Sequence, residues 1–204
     1  MIKSVNLVIY RTALMSEARR THILNASVIA FSHHGYRKTS LEDVAKEAGI
    51  SRQGLYLHFS SKDELFSATI DYALSMQLEA AEKALSNGSS ILSSLLKACD
   101  EWAGRHIGQG TSDADDLAAS STAISGDLMK QFTARFEALL TSAISSSTMM
   151  ASLKNNGLTA CDVAKTIYLL TAGIKTTSRT REEFRQSLAS ALSVLIAPHL
   201  KERK

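Results

Sequence analysis

Proline, cysteine and aromatic residues are scarce in this chain of 204 residues. It contains one proline, and aromatic side chains make up 6% of the sequence, whereas alanine, leucine, serine, lysine and glutamate are common. Proline disrupts helices, and the common residues include the best helix formers, so this composition predicts helices nearly throughout. The sequence shows no clear alternating pattern of the kind that indicates strands. We therefore expect an all-α fold.

The two cysteines, Cys99 and Cys161, lie far apart on apolar stretches with helical periodicity. This placement predicts buried free thiols in a reducing compartment rather than a disulfide. The sequence has no spacing typical of a metal site and no catalytic or cofactor signature. The apolar run at residues 5–10 is too short to span a bilayer and makes a poor signal peptide. We therefore expect a cytoplasmic protein with no cofactor and no membrane partner.

Positive charge is concentrated in the first third of the chain. Residues 1–62 carry nine Lys and Arg against four Asp and Glu, whereas residues 63–204 carry fourteen against sixteen. Such a basic excess is what attraction to nucleic acid phosphates requires. Chance clustering of surface charge is the alternative explanation.

Residues 39–59 have the pattern of two short helices joined by a tight turn, which is typical of a helix-turn-helix DNA reader. Ser40 can cap the first helix, with Asp43 three residues later as the partner in a capping box. Gly49 suits a turn position with positive φ, and Ser51 can cap the second helix. The pattern predicts that the second helix reads DNA.

The second helix of this pair has one apolar and one polar face. Leu55 and Phe59 are four residues apart and would hold the helix to the core. The polar residues left facing outward are Arg52, Gln53, Tyr56 and His58. Because a DNA major groove accepts a short helix with a hydrogen-bonding outer face, DNA binding is the leading hypothesis.

Helices are also predicted on both sides of this pair. The first helix spans about residues 16–34 and ends at Gly35, and a helix after the pair begins at the capping sequence Ser61-Lys62-Asp63-Glu64 and runs towards Asn87. The serine run at residues 145–147 is interpreted as helix surface. The remaining predicted helices span about residues 89–107, 113–124, 127–154, 159–176 and 181–200.

Several sequence motifs near the N-terminus occur together at characteristic spacings. They are Ile23-Leu24-Asn25-Ala26, Phe31, Gly35-Tyr36, Thr39-Ser40, Val44-Ala45, Ala48-Gly49-Ile50-Ser51, Leu55-Tyr56, His58-Phe59 and Ser61-Lys62-Asp63-Glu64-Leu65. In these residues the chain resembles the tetracycline-repressor (TetR/AcrR-like) family of bacterial transcription regulators. The resemblance covers about residues 18–66, whereas residues 67–204 match in architecture alone.

The resemblance implies a homodimer that reads a palindromic DNA operator. It places Thr39, Ser40, Tyr56 and Lys62 on phosphates, Arg52 on guanine and Gln53 on adenine, with His58 on either a phosphate or a base. Gly54 departs from the family, which often has threonine or alanine there. Three alternatives remain from the residues themselves. Tyr56 and His58 can be packing residues, and Lys62 can be an ordinary solvated lysine. Surface charge and phosphate contact are both possible roles for Arg19 and Arg20. The implied DNA-contacting set is Thr39, Ser40, Ser51, Arg52, Gln53, Gly54, Tyr56, His58 and Lys62.

The resemblance also implies a dimer interface on the last two helices and a ligand pocket in the helices before them. A wholly internal core is the alternative for each set. The interface residues are Val163, Ile167, Leu170, Ile174, Phe184, Leu188, Ala191, Leu192 and Leu195. The pocket residues are Trp102, His106, Met129, Phe132, Phe136, Met149 and Tyr168, which suit a small apolar or aromatic effector.

These features predict a repressor that leaves DNA when a small-molecule effector binds. The effector would shift the population towards a dimer whose two helix-turn-helix units, the reading heads, no longer match successive major grooves of the DNA. A DNA-bound adaptor acting through a protein partner is the alternative. The expected division is a flexible N-terminal extension at residues 1–15, a helix-turn-helix DNA-binding domain at 16–66, and a ligand-binding and dimerisation domain at 67–204. Residues 1–14 can instead be an extension ahead of a start at Met15.

Overall fold

The protein is helical along the part of the chain that its structure describes. This computed structural model describes residues 2–105, 107–108 and 114–200, and of residues 2–14 and 114–118 it describes the backbone alone. No strand occurs within these ranges. The helices are α1 Ile2–Lys38, α2 Leu41–Glu47, α3 Arg52–Tyr56, α4 Lys62–Ser86, α5 Ile91–Cys99, a π-helical turn Asp100–Gly104, α6 Ala114–Ser145, α7 Met150–Asn155, α8 Ala160–Thr177, α9 Arg181–Ile196 and a 3₁₀ turn Ala197–His199. The all-α expectation is confirmed.

Helix α1 begins at Ile2, well before the predicted start near Ser16. The segment expected to be a flexible extension is therefore helical over residues 2–15. Neither glycine nor proline occurs between residues 2 and 34, so nothing in the sequence ends a helix there. The helix breaks at Gly35, whose φ of 72° is accessible to glycine and strained for other residues, as the sequence predicted.

The two caps of the helix-turn-helix are formed as predicted. Ser40 Oγ accepts a hydrogen bond from the Asp43 amide at 3.1 Å, and the Asp43 carboxylate accepts one from the Ser40 amide at 2.8 Å. The Ser40 hydroxyl also donates to this carboxylate at 2.6 Å, and the bonds from the Ser40 hydroxyl and amide lower the pKa of Asp43 below its usual value. Gly49 has a φ of 62° in the turn, and Ser51 Oγ accepts from the Gly54 amide at 3.0 Å at the start of α3.

Helix α4 begins with a wider version of the predicted capping box. Ser61 Oγ accepts a hydrogen bond from the Glu64 amide at 3.1 Å. The Glu64 carboxylate, however, accepts from the amide and the hydroxyl of Ser60, at 2.7 and 2.6 Å, rather than from Ser61. These bonds lower the pKa of Glu64.

The chain forms two compact units. The first comprises Met1–Ala73 and Gly110–Gly126, and the second comprises Leu74–Gln109 and Asp127–Lys204. The first unit thus includes part of α6, which sequence reasoning assigned wholly to the C-terminal domain. Ile124 packs against the core of that unit, and the Ser125 hydroxyl donates to Ser67 Oγ at 3.3 Å. The buried core of the first unit consists of Ile23, Leu24, Ala30, Phe31, Val44, Ala45, Leu55, Phe59, Leu65 and Phe66.

Helix α6 combines two predicted helices and ends earlier than predicted. It bends at Ser125, where φ is −131° and ψ is 24°, and it stops at Ser145 rather than near Lys154. The Ser147 hydroxyl donates to the Ile144 carbonyl at 2.6 Å. Serine side chains compete in this way with the hydrogen bonds of the helix backbone. The serine run therefore ends the helix and does not lie on the surface of a continuing one.

The second unit has its own apolar interior, and its cysteines differ in environment. Cys99 is buried, but Cys161 is exposed in the first turn of α8, which corrects the expectation of two buried thiols. In the described part of the chain, no helix combines the length and hydrophobicity that a membrane crossing needs. The fully buried large side chains of this unit include Leu95, Phe136, Leu140, Ile144, Met149, Leu153 and Phe184.

Candidate nucleic-acid interface

Helix α3 presents its polar face to solvent, as the sequence predicted. Its first two residues, Arg52 and Gln53, are exposed, and so is Tyr56 at its end. Leu55 on the opposite face is completely buried in the core of the first unit. The side chains available at the surface of α3 are therefore of the type that forms hydrogen bonds with base edges.

The Arg52 guanidinium lies between a phenol and a carboxylate. Arg52 Nη2 donates to the Tyr56 hydroxyl at 3.4 Å, and Arg52 Cζ lies 5.7 Å from the centroid of the Tyr56 ring. Arg52 Nη1 also lies 3.9 Å from Glu42 Oε2 on α2. The hydrogen bond to Tyr56 raises the pKa of Arg52, so this side chain remains cationic. Glu42, which the sequence reasoning did not single out, is an anion on the surface expected to meet DNA.

Lys62 is held at the start of α4 by contacts with the end of α1. Its Nζ donates to the Arg37 carbonyl at 3.2 Å and lies 4.3 Å from the centroid of the Tyr36 ring. The Tyr36 hydroxyl in turn donates to the carboxylate of Asp63. Lys62 is therefore oriented by its neighbours rather than extended freely into solvent.

These side chains line one open groove with a volume of about 320 Å³. Its lining contains four cationic side chains and one carboxylate, so the groove is positively charged overall. Phosphate oxygens are the natural counter-ions for such a surface. The lining residues are Arg37, Lys38, Thr39, Ser40, Leu41, Glu42, Arg52, Tyr56 and Lys62.

The hydroxyl groups of Thr39 and Ser40 are already engaged within the protein. Thr39 is 2% exposed, and its Oγ1 donates to the Gly35 carbonyl at 2.6 Å. The Ser40 hydroxyl donates to the Asp43 carboxylate at 2.6 Å, and its amide donates to the same group. The phosphate contacts expected from the Thr39 hydroxyl and from the hydroxyl and amide of Ser40 are therefore not available in this conformation.

The C-terminal end of the helix-turn-helix is stabilised by α1. Arg20 Nη1 donates to the His58 carbonyl at 3.3 Å, and Arg20 Cζ lies 4.4 Å from the centroid of the Phe59 ring. Arg20 thus has a structural role, while His58 is half-buried. Leu57 is 82% exposed beside Tyr56, and the sequence reasoning missed it. An apolar residue between two outward-facing polar positions was the available signal.

The residues predicted to form a ligand pocket mostly pack as core. Trp102 stacks on Phe136 with ring centroids 4.7 Å apart, and Phe132, Phe136 and Met149 are buried. Met129 is exposed and Tyr168 is half-buried, whereas His106 lies outside the described residues. None of these residues lines the cationic groove beside α3.

Five of the nine residues predicted at the dimer interface are buried within the subunit itself. The most apolar positions of α8 and α9 face inward because burying them in the core of the second unit removes the most apolar surface from water. Leu170, Ile174, Ala191 and Leu195 are partly exposed. Leu169 and Val194, which were not predicted, are 67% and 79% exposed. The five buried residues are Val163, Ile167, Phe184, Leu188 and Leu192.

A capped helix-turn-helix with a polar α3 surface beside a cationic groove defines a helix-turn-helix protein of the DNA-binding class. Comparison with known proteins agrees, because residues 23–69 match the family described as "Bacterial regulatory proteins, tetR family". The match covers the helix-turn-helix region of the chain and the first turns of α4.

Two curated relatives are similar to a part of the chain. The uncharacterised HTH-type transcriptional regulator YfiR of Bacillus subtilis (strain 168) is 32% identical over 103 residues, which is 50% of this chain and 47% of that protein. The HTH-type transcriptional regulator AcrR of Shigella flexneri is 40% identical over 57 residues, which is 28% of this chain and 26% of that protein. The similarity to these relatives thus spans less than half of their length.

The likeness of the whole fold extends further than the likeness of the sequence. The crystal structure of a TetR transcription regulator from Haloarcula marismortui ATCC 43049 has a TM-score of 0.65 and covers 88% of this chain and 98% of that one. Its sequence identity is 19%, so it shows the shared fold alone. The shared fold thus includes both the N-terminal helix-turn-helix and the C-terminal helical region.

Proposed function

We propose that this protein regulates transcription by binding double-stranded DNA through α3 and the cationic groove beside it. The observation that carries the proposal is the placement of Arg52 and Gln53 on the exposed first turn of α3, with Lys62 at the rim of the groove. Arginine suits guanine O6 and N7, and glutamine suits adenine N6 and N7. Lys62 supplies a positive charge for a phosphate, which fixes position without reading sequence.

The protein acts on DNA as a homodimer in this proposal, in the cytoplasm, where bacterial DNA is. The exposed apolar residues Leu169 on α8 and Val194 on α9 support a self-complementary surface, with Leu170, Ile174 and Leu195 beside them. Exposed glycine and serine, such as Gly173 and Ser190, permit close approach of the helices. A two-fold symmetric dimer places two reading heads on a palindromic operator.

The regulator responds to a small-molecule effector and represses the genes beside its operator in this proposal. Helix α4 runs from the first unit into the second, so one continuous helix belongs to both. An effector that binds one dimer conformation better shifts the population towards it. If that conformation separates or tilts the reading heads, DNA is released.

Selection from a random duplex library tests the DNA-binding proposal directly. We expect the enriched sequences to contain an inverted repeat, and binding to that repeat to weaken steeply as salt rises, because phosphate contacts release counter-ions. Enrichment of no sequence, or affinity that is flat between 50 and 200 mM salt, would contradict the proposal. Lys154→Ala, which alters an exposed lysine on α7, is the matched control for Lys62→Ala and should bind DNA as the unchanged protein does.

A DNA-bound adaptor is the second candidate, and the packing of the predicted pocket favours it. Trp102 and Phe136 stack on each other, and Phe132 is covered by Arg135, whose Cζ lies 4.8 Å from the ring centroid. A filled interior needs no small molecule. An adaptor would keep its DNA affinity across a library of apolar and aromatic compounds, whereas a ligand-released repressor would lose DNA with at least one of them.

A further inference from the structure

The second unit carries a charged groove that lies outside the predicted aromatic pocket. Its volume is about 590 Å³, which falls within the range of small-molecule sites. Helices α4, α5 and α9 and the π-helical turn all contribute to it. The lining residues are Ala80, Lys83, Ala84, Lys97, Asp100, Glu101, Arg105, Arg181 and Arg185.

Asp100 is the most deeply placed charge in this groove. It is 7% exposed, and both of its carboxylate oxygens are bound by Arg181 at the start of α9, with Oδ1 to Nε at 3.0 Å and Oδ2 to Nη2 at 2.8 Å. A bidentate arginine pair of this kind satisfies a largely buried carboxylate. Asp100 therefore fixes Arg181 on the wall of the groove.

Glu101 is likewise neutralised by its neighbours. Its carboxylate accepts hydrogen bonds from Arg105, including one from Nε at 3.1 Å, and it lies 3.6 Å from Arg181 Nη2. The groove thus contains two carboxylates and five cationic side chains. Its charge is positive by three, and an anion is the complementary ligand.

Two of the five cations are well placed to meet that anion. The Arg185 side chain is 51% exposed, and its Nε forms a long ion pair of 3.7 Å with Asp100 Oδ2, so most of the guanidinium still faces the groove. Lys97 is exposed, and no ion pair to it is seen among the described residues. Lys83, in contrast, is paired with Glu79 at 2.6 Å.

The backbone beneath the groove has an unusual form that fixes these groups. Asp100–Gly104 is a π-helical turn, a rare element that often occurs at functional sites. A Cβ atom at Gly104 would overlap Asp100 Oδ1 and would lie 3.1 Å from the Phe184 ring. Glycine is therefore required there for Asp100 to reach Arg181.

We propose that this groove binds a small organic anion, namely a carboxylate or phosphate attached to a compact apolar body. Arg185 and Lys97 bind the oxyanion, and Arg181, oriented by Asp100, adds its charge. Ala80 and Ala84 on α4 provide a wall for the apolar body. Inorganic phosphate alone would leave most of the volume unfilled.

Use of this site as the effector site rests on the proposed function. An anion held by Arg185 and Lys97 links α9 to α5, next to the α4 residues Ala80 and Ala84. Binding and regulation are separable, so each has its own measurement. Binding is measured on the whole chain without DNA.

Calorimetric titration with phenyl phosphate, benzoate and inorganic phosphate at constant ionic strength tests the site. We expect phenyl phosphate or benzoate to bind more tightly than inorganic phosphate, because only they contact the alanine wall. Arg185→Gln and Lys97→Gln should each weaken binding by about tenfold, the equivalent of one charge-assisted contact. Lys130→Gln, which alters an exposed lysine paired with Asp127 on α6, should bind as the unchanged protein does.

No detectable binding of any of the three probes, or binding that neither groove variant weakens, would overturn the proposal. Circular dichroism of each variant identifies misfolding, and Lys97→Gln alters an exposed side chain that the fold does not need. DNA release is scored separately with the selected duplex. Anion binding without release of DNA would contradict the effector role and would still support the anion site. Failure of the protein to bind DNA when no anion is present would instead contradict the proposed function.

Discussion

The Lys62 ammonium nitrogen lies 4.3 Å from the centroid of the Tyr36 ring, and this contact joins the start of α4 to the end of α1. A cation over an aromatic face is attracted by the negative charge of that face. Lys62 also donates to the Arg37 carbonyl, so its ammonium group is held at the rim of the cationic groove. A side chain that is held before binding loses little entropy when a phosphate arrives.

Lys62→Ala should weaken binding to all DNA sequences to a similar extent. The lysine contributes a phosphate contact that carries no base information, so the salt dependence should fall by about one unit of slope for each reading head. Fluorescence anisotropy with the selected duplex and with unrelated duplexes measures both effects. A loss confined to the selected duplex would show that Lys62 reads bases.

Arg52→Ala should relax base preference at one position of each half-site. Arginine forms bidentate hydrogen bonds with guanine, and their loss costs about 1–3 kcal/mol of discrimination. Repeating the duplex selection with the variant measures the preference. If Arg52→Ala and Lys62→Ala change affinity in the same sequence-independent way, the division between base and phosphate contacts is wrong.

Glu42→Gln should strengthen DNA binding several-fold. Glu42 Oε2 lies 3.9 Å from Arg52 Nη1 and places a negative charge on the cationic surface. Removing that charge reduces repulsion of phosphates and releases Arg52 for the base. Anisotropy at low salt reveals the effect, which should shrink as salt screens the charge. Weaker binding by Glu42→Gln would mean that Glu42 positions Arg52 productively.

Val194→Glu should convert the protein to a monomer at micromolar concentration. Val194 is 79% exposed on α9, and a carboxylate buried against its symmetry mate is unfavourable. Light scattering compares the variant with the unchanged chain, and Met76→Glu, on α4 and 43% exposed, is the matched control. A variant that stays dimeric would place the interface elsewhere.

The two cysteines should differ sharply in thiol reactivity. Burial raises the pKa of Cys99 to about 12, so almost none of it is thiolate at pH 8, whereas Cys161 is exposed. An aromatic disulfide reagent at pH 8 should therefore modify one thiol rapidly in the folded protein and both in guanidinium chloride. Cys161→Ser should abolish the fast phase. Two fast thiols in the folded state would be inconsistent with the buried position of Cys99.

Sequence reasoning located the helix-turn-helix accurately because the sequence signals of this motif are local. The caps at Ser40 and Ser51 and the positive φ of Gly49 depend on neighbours within a few residues, and all three are present. Its errors at Ser16 and Lys154 concern helix ends. Helix boundaries depend on competition between backbone and side-chain hydrogen bonds, which residue type alone does not decide.

The division between core and surface was harder to predict on α8 and α9. Both helices have wide apolar stripes, and sequence reasoning placed Ile167 and Leu188 at a dimer surface although both are completely buried. A helical wheel identifies an apolar face without showing what covers it. Leu169 and Val194 stand outside the predicted stripe and are exposed.

The sequence by itself determined the helical fold, the capped helix-turn-helix and the outward placement of Arg52 and Gln53, because these follow from periodicity and local hydrogen bonds. The tertiary structure alone decided that Glu42 approaches Arg52 and that Asp100 and Arg181 meet across 81 residues of chain. Contacts between residues distant in sequence depend on how helices pack, and no local pattern encodes that packing.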